Sequence, residues 1–175
     1  MSQALTLQPN SVYICLTQLL VPGFHWGLYL TDERGVATRH EWAEVKDRRE
    51  RGSPVEAYGV SIIDPVTEID QENRRNLAFV KVRGYAPNST VSVDVHALFR
   101  GLEPAGGSSS WMENRKRGLS CRTWLLRALS LLQQEGLISR EDPVSGIEDA
   151  VKQIGLDVER RLGEGEDVPT VFAEV

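Results

Sequence analysis

The sequence predicts an α+β fold, a small antiparallel β-sheet packed against helices, in a single domain spanning residues 1–175. Three observations predict it. β-Branched and aromatic runs fill the first half, the apolar spacing turns helical beyond it, and strands followed by helices make the α+β class. The chain, 41% hydrophobic and 26% charged, is also long enough to bury a real core without disulfides or metals.

Val12-Tyr13-Ile14-Cys15-Leu16 is the first strand. Phe24 to Thr31 and Val36 to Trp42 are two more, joined by Asp32-Glu33-Arg34-Gly35 as a four-residue hairpin turn. Residues 43–76 are charged and poorly periodic, and read as loop with one short strand near Tyr58 to Ile63. Leu77 to Val82 is a further strand. Val91, Val95, Leu98, Phe99 and Leu102 then fall at helical spacing, with Ser92 as N-cap. After the loop Pro104 to Ser110, a strong helix starts at Ser120 or Cys121. It carries Trp124, Leu125, Ala128 and Leu132 and closes at Gly136. A last helix opens at Asp142-Pro143, with Asp142 as cap and Gly155 as a break. The acidic tail after Leu162 is expected to be loosely held.

The charge balance narrows the function. Twenty basic and 25 acidic side chains give a net charge of −5, against the basic footprint that nucleic-acid binding needs. Two cysteines far apart in sequence fit free thiols in a reducing compartment rather than a disulfide scaffold. The N-terminus shows no signal-peptide pattern, and Val12 to Val21 is too short and polar for a bilayer span. A cytoplasmic protein with no integral membrane segment is expected. Neither a zinc pattern nor a phosphate loop stands out, so no metal or cofactor is expected.

One constellation can do chemistry. Ser120 as N-cap puts Cys121 in the first turn of its helix, where free N–H groups and the dipole stabilise a thiolate. Arg115, Lys116, Arg117 and Arg122 add positive charge nearby. With a four-residue turn, Thr31 pairs with Val36, His25 faces Trp42 and His40 faces Gly27, which puts both histidines on one face. A loop one residue different throws His40 to the other face. His25 is then the base for Cys121, and His40 the residue that orients the imidazole. Taken singly, each also reads as structure: Cys121 as core, His25 as a hydrogen-bonded strand residue, His40 as an exposed one. Cys15 and His96 read as packing. Trp26, Trp42 and Trp111 read as core or cleft wall, and with Arg122 they are the candidate substrate-binding residues.

These residues resemble a family. A strand histidine, a second histidine across a hairpin and then a cysteine opening a helix is similar to the circularly permuted papain-like (NlpC-type) thiol enzymes. The lecithin:retinol acyltransferase-like branch is the nearest. The resemblance rests on His25-Trp26-Gly27-Leu28-Tyr29-Leu30 with His40, and on Ser120-Cys121-Arg122-Thr123-Trp124. Ser120 stands where that family has Asn, and the hairpin is longer. The resemblance implies Cys121 as nucleophile, His25 as base and His40 as third member.

The expected activity is therefore a cofactor-free cysteine hydrolase or acyltransferase. It acts on a small-molecule or peptide amide, ester or thioester through an acyl-enzyme. A permuted papain-like peptidase and a non-catalytic ligand-binding protein that keeps the fold are the alternatives. Oligomeric state leaves no mark in the sequence.

Overall fold

The computed structural model describes residues 6–63, 75–87, 93–105 and 109–175. Its architecture is α+β, a mixed seven-stranded sheet with four helices. The strands are β1 (Val12–Gln18), β2 (Phe24–Thr31), β3 (Ala37–Glu50), β4 (Ser53–Ile62), β5 (Asn76–Val82), β6 (Ser109–Ser110) and β7 (Val171–Glu174). The helices are α1 (Val95–Arg100), α2 (Trp111–Lys116), α3 (Cys121–Gln134) and α4 (Val144–Gly163). The sheet order is β6-β4-β3-β2-β1-β5-β7, antiparallel throughout except for the parallel β5–β7 pair.

Alternation along the strands sorts the side chains into two faces. Val12, Ile14 and Leu16 of β1, Trp26, Leu28 and Leu30 of β2, and Trp42 of β3 meet Trp124, Leu125, Ala128, Leu129 and Leu132 of α3 in the main core. Ile147, Val151 and Val158 of α4 complete it. The opposite face carries a smaller cluster of Tyr13, Cys15, Tyr29, Ala37 and Phe79. No helix among the described residues is long and apolar enough to cross a membrane.

Two glycines and one cap explain how the elements meet. Gly155 does not break α4, which runs on through it to Gly163. A Cβ there would come within 2.7 Å of Leu16 and of the Phe24 ring, so glycine lets the helix lie directly on β1 and β2. Gly136 follows α3 with φ of +72°, a left-handed backbone that glycine adopts without penalty. Ser120 caps α3 in a capping box, its hydroxyl accepting from Thr123 N–H while Thr123 Oγ1 accepts from Ser120 N–H.

Three parts of the sequence reading are corrected here. Residues 43–62 are not loop, because β3 runs to Glu50 and returns as β4 through Arg51-Gly52. Both turn residues have positive φ, the two-residue geometry that matches strand twist. The β3 arm is charged here because Lys46 to Glu50 lie beyond the core and are exposed. Asp142 does not cap α4. Pro143 holds the N-cap position without a side-chain bond, and Asp142 pairs instead with Arg140. The tail after Leu162 is not loose, since Val168 is buried and β7 joins the sheet beside β5. The first short helix is capped by Asp94, whose carboxylate accepts from Ala97 N–H. Ser92, the cap expected from sequence, lies outside the described residues.

Candidate active site

The site forms where the central ladder opens. β2 pairs with β1 as far as Phe24↔Gln18, but its ladder with β3 ends at Gly27↔Glu41. α3 lies over these two strands and brings its first residue, Cys121, to the opening. His25 and the backbone N–H groups of Trp26 and Arg122 surround the Cys121 sulfur and favour its charged form. His25 Nε2 lies 2.7 Å from Glu41 Oε2. His25 therefore lies between a thiol and a carboxylate, both of which favour its charged form.

Electrostatics follow from that placement. Burial opposes charge on both partners. For His25 this is outweighed by the hydrogen bonds and charges of Cys121 and Glu41, which lift its pKa to about 9. For Cys121, burial is outweighed by the bond and positive charge of His25 and by the Trp26 and Arg122 amides, which pull the thiol below its ordinary value. Both shifts run toward a thiolate–imidazolium pair with Glu41 behind it. Arg39 Nε stands 3.1 Å from the other Glu41 oxygen, so a guanidinium lies against the far side of that carboxylate.

The hairpin register corrects the place of His40. Gly27 pairs with Glu41 and Leu28 with His40, one residue away from the expected pairing of Gly27 with His40. The loop is longer by one residue. Asp32 N–H donates to Val36 C=O, the Asp32 carboxylate accepts from Arg34 and Val36 N–H, and Thr31 pairs with Ala37. His40 therefore points into the main core, edge-on to Phe99 at 5.1 Å, and its neighbour Glu41 occupies the face where His25 lies.

His40 belongs to a second network. A guanidinium only donates, so Arg100, 2.6 Å from His96 Nε2, leaves the His96 proton on Nδ1. His96 Nδ1–H then donates to Tyr58 Oη at 3.0 Å, and the Tyr58 hydroxyl donates to His40 Nδ1 at 2.7 Å. Burial and the nearby His96 push the His40 pKa down to about 4.

The expected substrate-binding residues separate into two groups. Trp26 and Trp42 are only 2% and 1% exposed, so their rings are core and not cleft wall. What Trp26 contributes to the site is its backbone N–H. Trp111 opens α2 and is exposed. Arg122 follows Cys121 and is held by an ion pair to Glu148 of α4, which also binds Lys152 at 2.6 Å. Arg115 is bound as well, through both amino groups to Glu56 and to the Leu119 carbonyl. Neither cysteine is in a disulfide, and Cys15 is buried against Asn76. Among the described residues no group of three or more His, Cys, Asp or Glu side chains is arranged to hold a metal ion.

Sequence reasoning missed Glu41. The signal was available in the faces: matching Trp42 and His40 to the apolar Trp26, Leu28 and Leu30 side of β2 sends Glu41 to the side of His25. No protein-family model, curated protein or solved structure matches this chain.

Proposed function

We propose that this protein is a cysteine-dependent acyl-transfer enzyme of the permuted papain-like type, with Cys121 as nucleophile, His25 as acid–base and Glu41 as the orienting third member. The observation that carries this reading is the place of His25 between the Cys121 thiol and the Glu41 carboxylate, 2.7 Å from the latter. In this role Glu41 replaces His40. The chain order is still strand histidine, partner across the hairpin, then cysteine at a helix start.

The chemistry follows. The Cys121 thiolate attacks the carbonyl carbon of an amide, ester or thioester, and the carbonyl oxygen becomes an oxyanion. The Cys121 backbone N–H, at the start of α3 where the helix ladder has not begun, stabilises that charge. The tetrahedral intermediate collapses as His25 gives its proton to the leaving amine, alcohol or thiol, which departs and leaves a thioester on Cys121. Neutral His25 then takes a proton from water or an acceptor nucleophile as it attacks the thioester. The acyl product leaves and the thiolate–imidazolium pair returns. Glu41 holds the imidazole in the required tautomer and supports its positive form throughout. Two free thiols suit a reducing compartment such as the cytoplasm.

The test is iodoacetamide labelling resolved by mass spectrometry across pH, in wild type and His25→Ala. Cys121 should label rapidly near neutral pH, with an acid limb below that of an ordinary thiol. Loss of His25 should slow it by at least roughly a hundredfold. Cys15, 1% exposed, is the built-in control and should react only after unfolding. p-Nitrophenyl acetate should leave an acetyl group on Cys121 of the wild type alone. Equal labelling of Cys121 in both proteins, or labelling only in denaturant, refutes the enzyme reading.

A further inference from the structure

We infer that Glu56 and Arg115 are positioning residues for the Cys121 nucleophile, an inference that rests on the acyl-transfer reading above. Glu56, on β4, is nearly buried and accepts four hydrogen bonds. Its Oε2 accepts from Trp42 Nε1 at 3.2 Å, Asn114 Nδ2 at 3.1 Å and one Arg115 amino group at 3.1 Å. Its Oε1 accepts from the other Arg115 amino group at 2.8 Å. Arg115 also donates to the Leu119 carbonyl at 2.6 Å. Leu119 N–H in turn donates to Asn114 C=O at 2.8 Å. Asn114 is fully buried and tied to Ser109 through both ends of its amide. The turn Arg117 to Ser120, which delivers Cys121 to the site, is thus pinned to β4 by one carboxylate.

These bonds close a circuit with the candidate site. Glu41 and Trp42 are adjacent on β3 and point to opposite faces. Glu41 holds His25, which stands beside Cys121 and favours its charged form. Trp42 holds Glu56, which holds Arg115 and through it Leu119, two residues before Cys121. Acid–base partner and nucleophile are therefore referenced to the same peptide unit of β3. Their separation is set twice, once across the site and once behind it.

Glutamine cannot replace Glu56 in this role. All four groups around the carboxylate are donors, and a Gln amide turned either way sets its own NH2 against at least one of them. Lysine cannot replace Arg115 either, because a single ammonium does not span two carboxylate oxygens and the Leu119 carbonyl.

The experiment is the pH profile of Cys121 labelling by iodoacetamide in full-length wild type, Glu56→Gln and Arg115→Lys, with melting curves alongside. In both variants the acid limb should move up toward the ordinary thiol range. Labelling near neutral pH should fall roughly tenfold, given that a misplacement of about 1 Å at a reacting group can cost about a hundredfold. If the variants melt earlier yet keep the wild-type profile, Glu56 and Arg115 merely stabilise the fold and the inference is overturned. Arg115 has a side chain 41% exposed, so Arg115→Lys carries the test if Glu56→Gln does not fold. The two failures are distinguishable. A profile insensitive to His25→Ala refutes the acyl-transfer reading itself, whereas one sensitive to His25 but not to Glu56 or Arg115 refutes this inference alone.

Discussion

His25 and His40 make the same kind of contact and end in opposite states. Each has a ring nitrogen 2.7 Å from an oxygen, Glu41 for one and the Tyr58 hydroxyl for the other. Burial works against the charged form of both. His25 nonetheless rises to about 9, because a thiolate and a carboxylate flank it. His40 falls to about 4, because its neutral hydroxyl partner does not offset burial and the nearby His96 adds to it. Hydrogen-bond length does not distinguish them; the charge of the partner does. The two environments are separated by one step along β3, from residue 40 to residue 41.

The largest way to break this contrast is to make the surroundings of His25 resemble those of His40. Glu41→Gln keeps the size of the partner and removes its charge. The imidazolium should lose support, and the alkaline limb of p-nitrophenyl acetate acylation should drop from about 9 toward the ordinary 6.5. The acylation rate should fall by roughly a thousandfold, within the range for acid–base groups. A variant with the wild-type alkaline limb would remove Glu41 from the mechanism.

A second test concerns His40 and stability. Its folded pKa lies below the ordinary value, so as pH falls from 6.5 to about 4 the unfolded chain binds a proton that the folded protein refuses. Stability should decline through that window, with His40 accounting for up to about 3 kcal/mol, and no further loss from this residue below it. In urea titrations, His40→Asn should flatten that part of the acid slope while leaving the Cys121 labelling profile in place. The sign is opposite for His25. Its folded pKa is raised, so its stabilisation is complete below 6.5 and disappears as pH rises through about 9. An unchanged acid slope in His40→Asn would contradict the assignment of His40 as a buried neutral imidazole.

The smallest effect should come from Tyr58→Phe. It removes a hydroxyl that serves both His40 and His96, at a cost of about 1–2 kcal/mol for two unsatisfied ring nitrogens. Iodoacetamide labelling of Cys121 should not change. A shift in its pH profile would mean that the two histidine networks communicate.

Much of this arrangement was legible in the residues, and the exception is instructive. Ser120 announced the helix start, and Cys121 stands as its first residue. The extent of β2 and the position of His25 also followed from the pattern of side chains. Register did not, because it turns on one residue of loop length. The Asp32 carboxylate accepts from two loop N–H groups and stretches the turn by one, a choice made by side chain-to-backbone bonding rather than by hydrophobicity. That single step exchanged His40 for Glu41 at the candidate site. The β3–β4 extension was misread for a different reason: a strand exposed on both faces has no alternation to detect, and its charges look like those of a loop.

The closeness of α4 to the sheet has a mechanical consequence. At Gly155 the helix backbone rests against the ring of Phe24, the residue that immediately precedes His25. The helix contributes no side chain there, so its backbone meets the Phe24 ring and the Leu16 side chain directly. A single methyl at position 155 would act as a wedge, prying α4 away from the strand or pushing on the segment that carries the imidazole. The tolerance of this protein to change is thus narrow at a residue with no chemistry of its own, on the side of the strand that a survey of reactive groups would pass over.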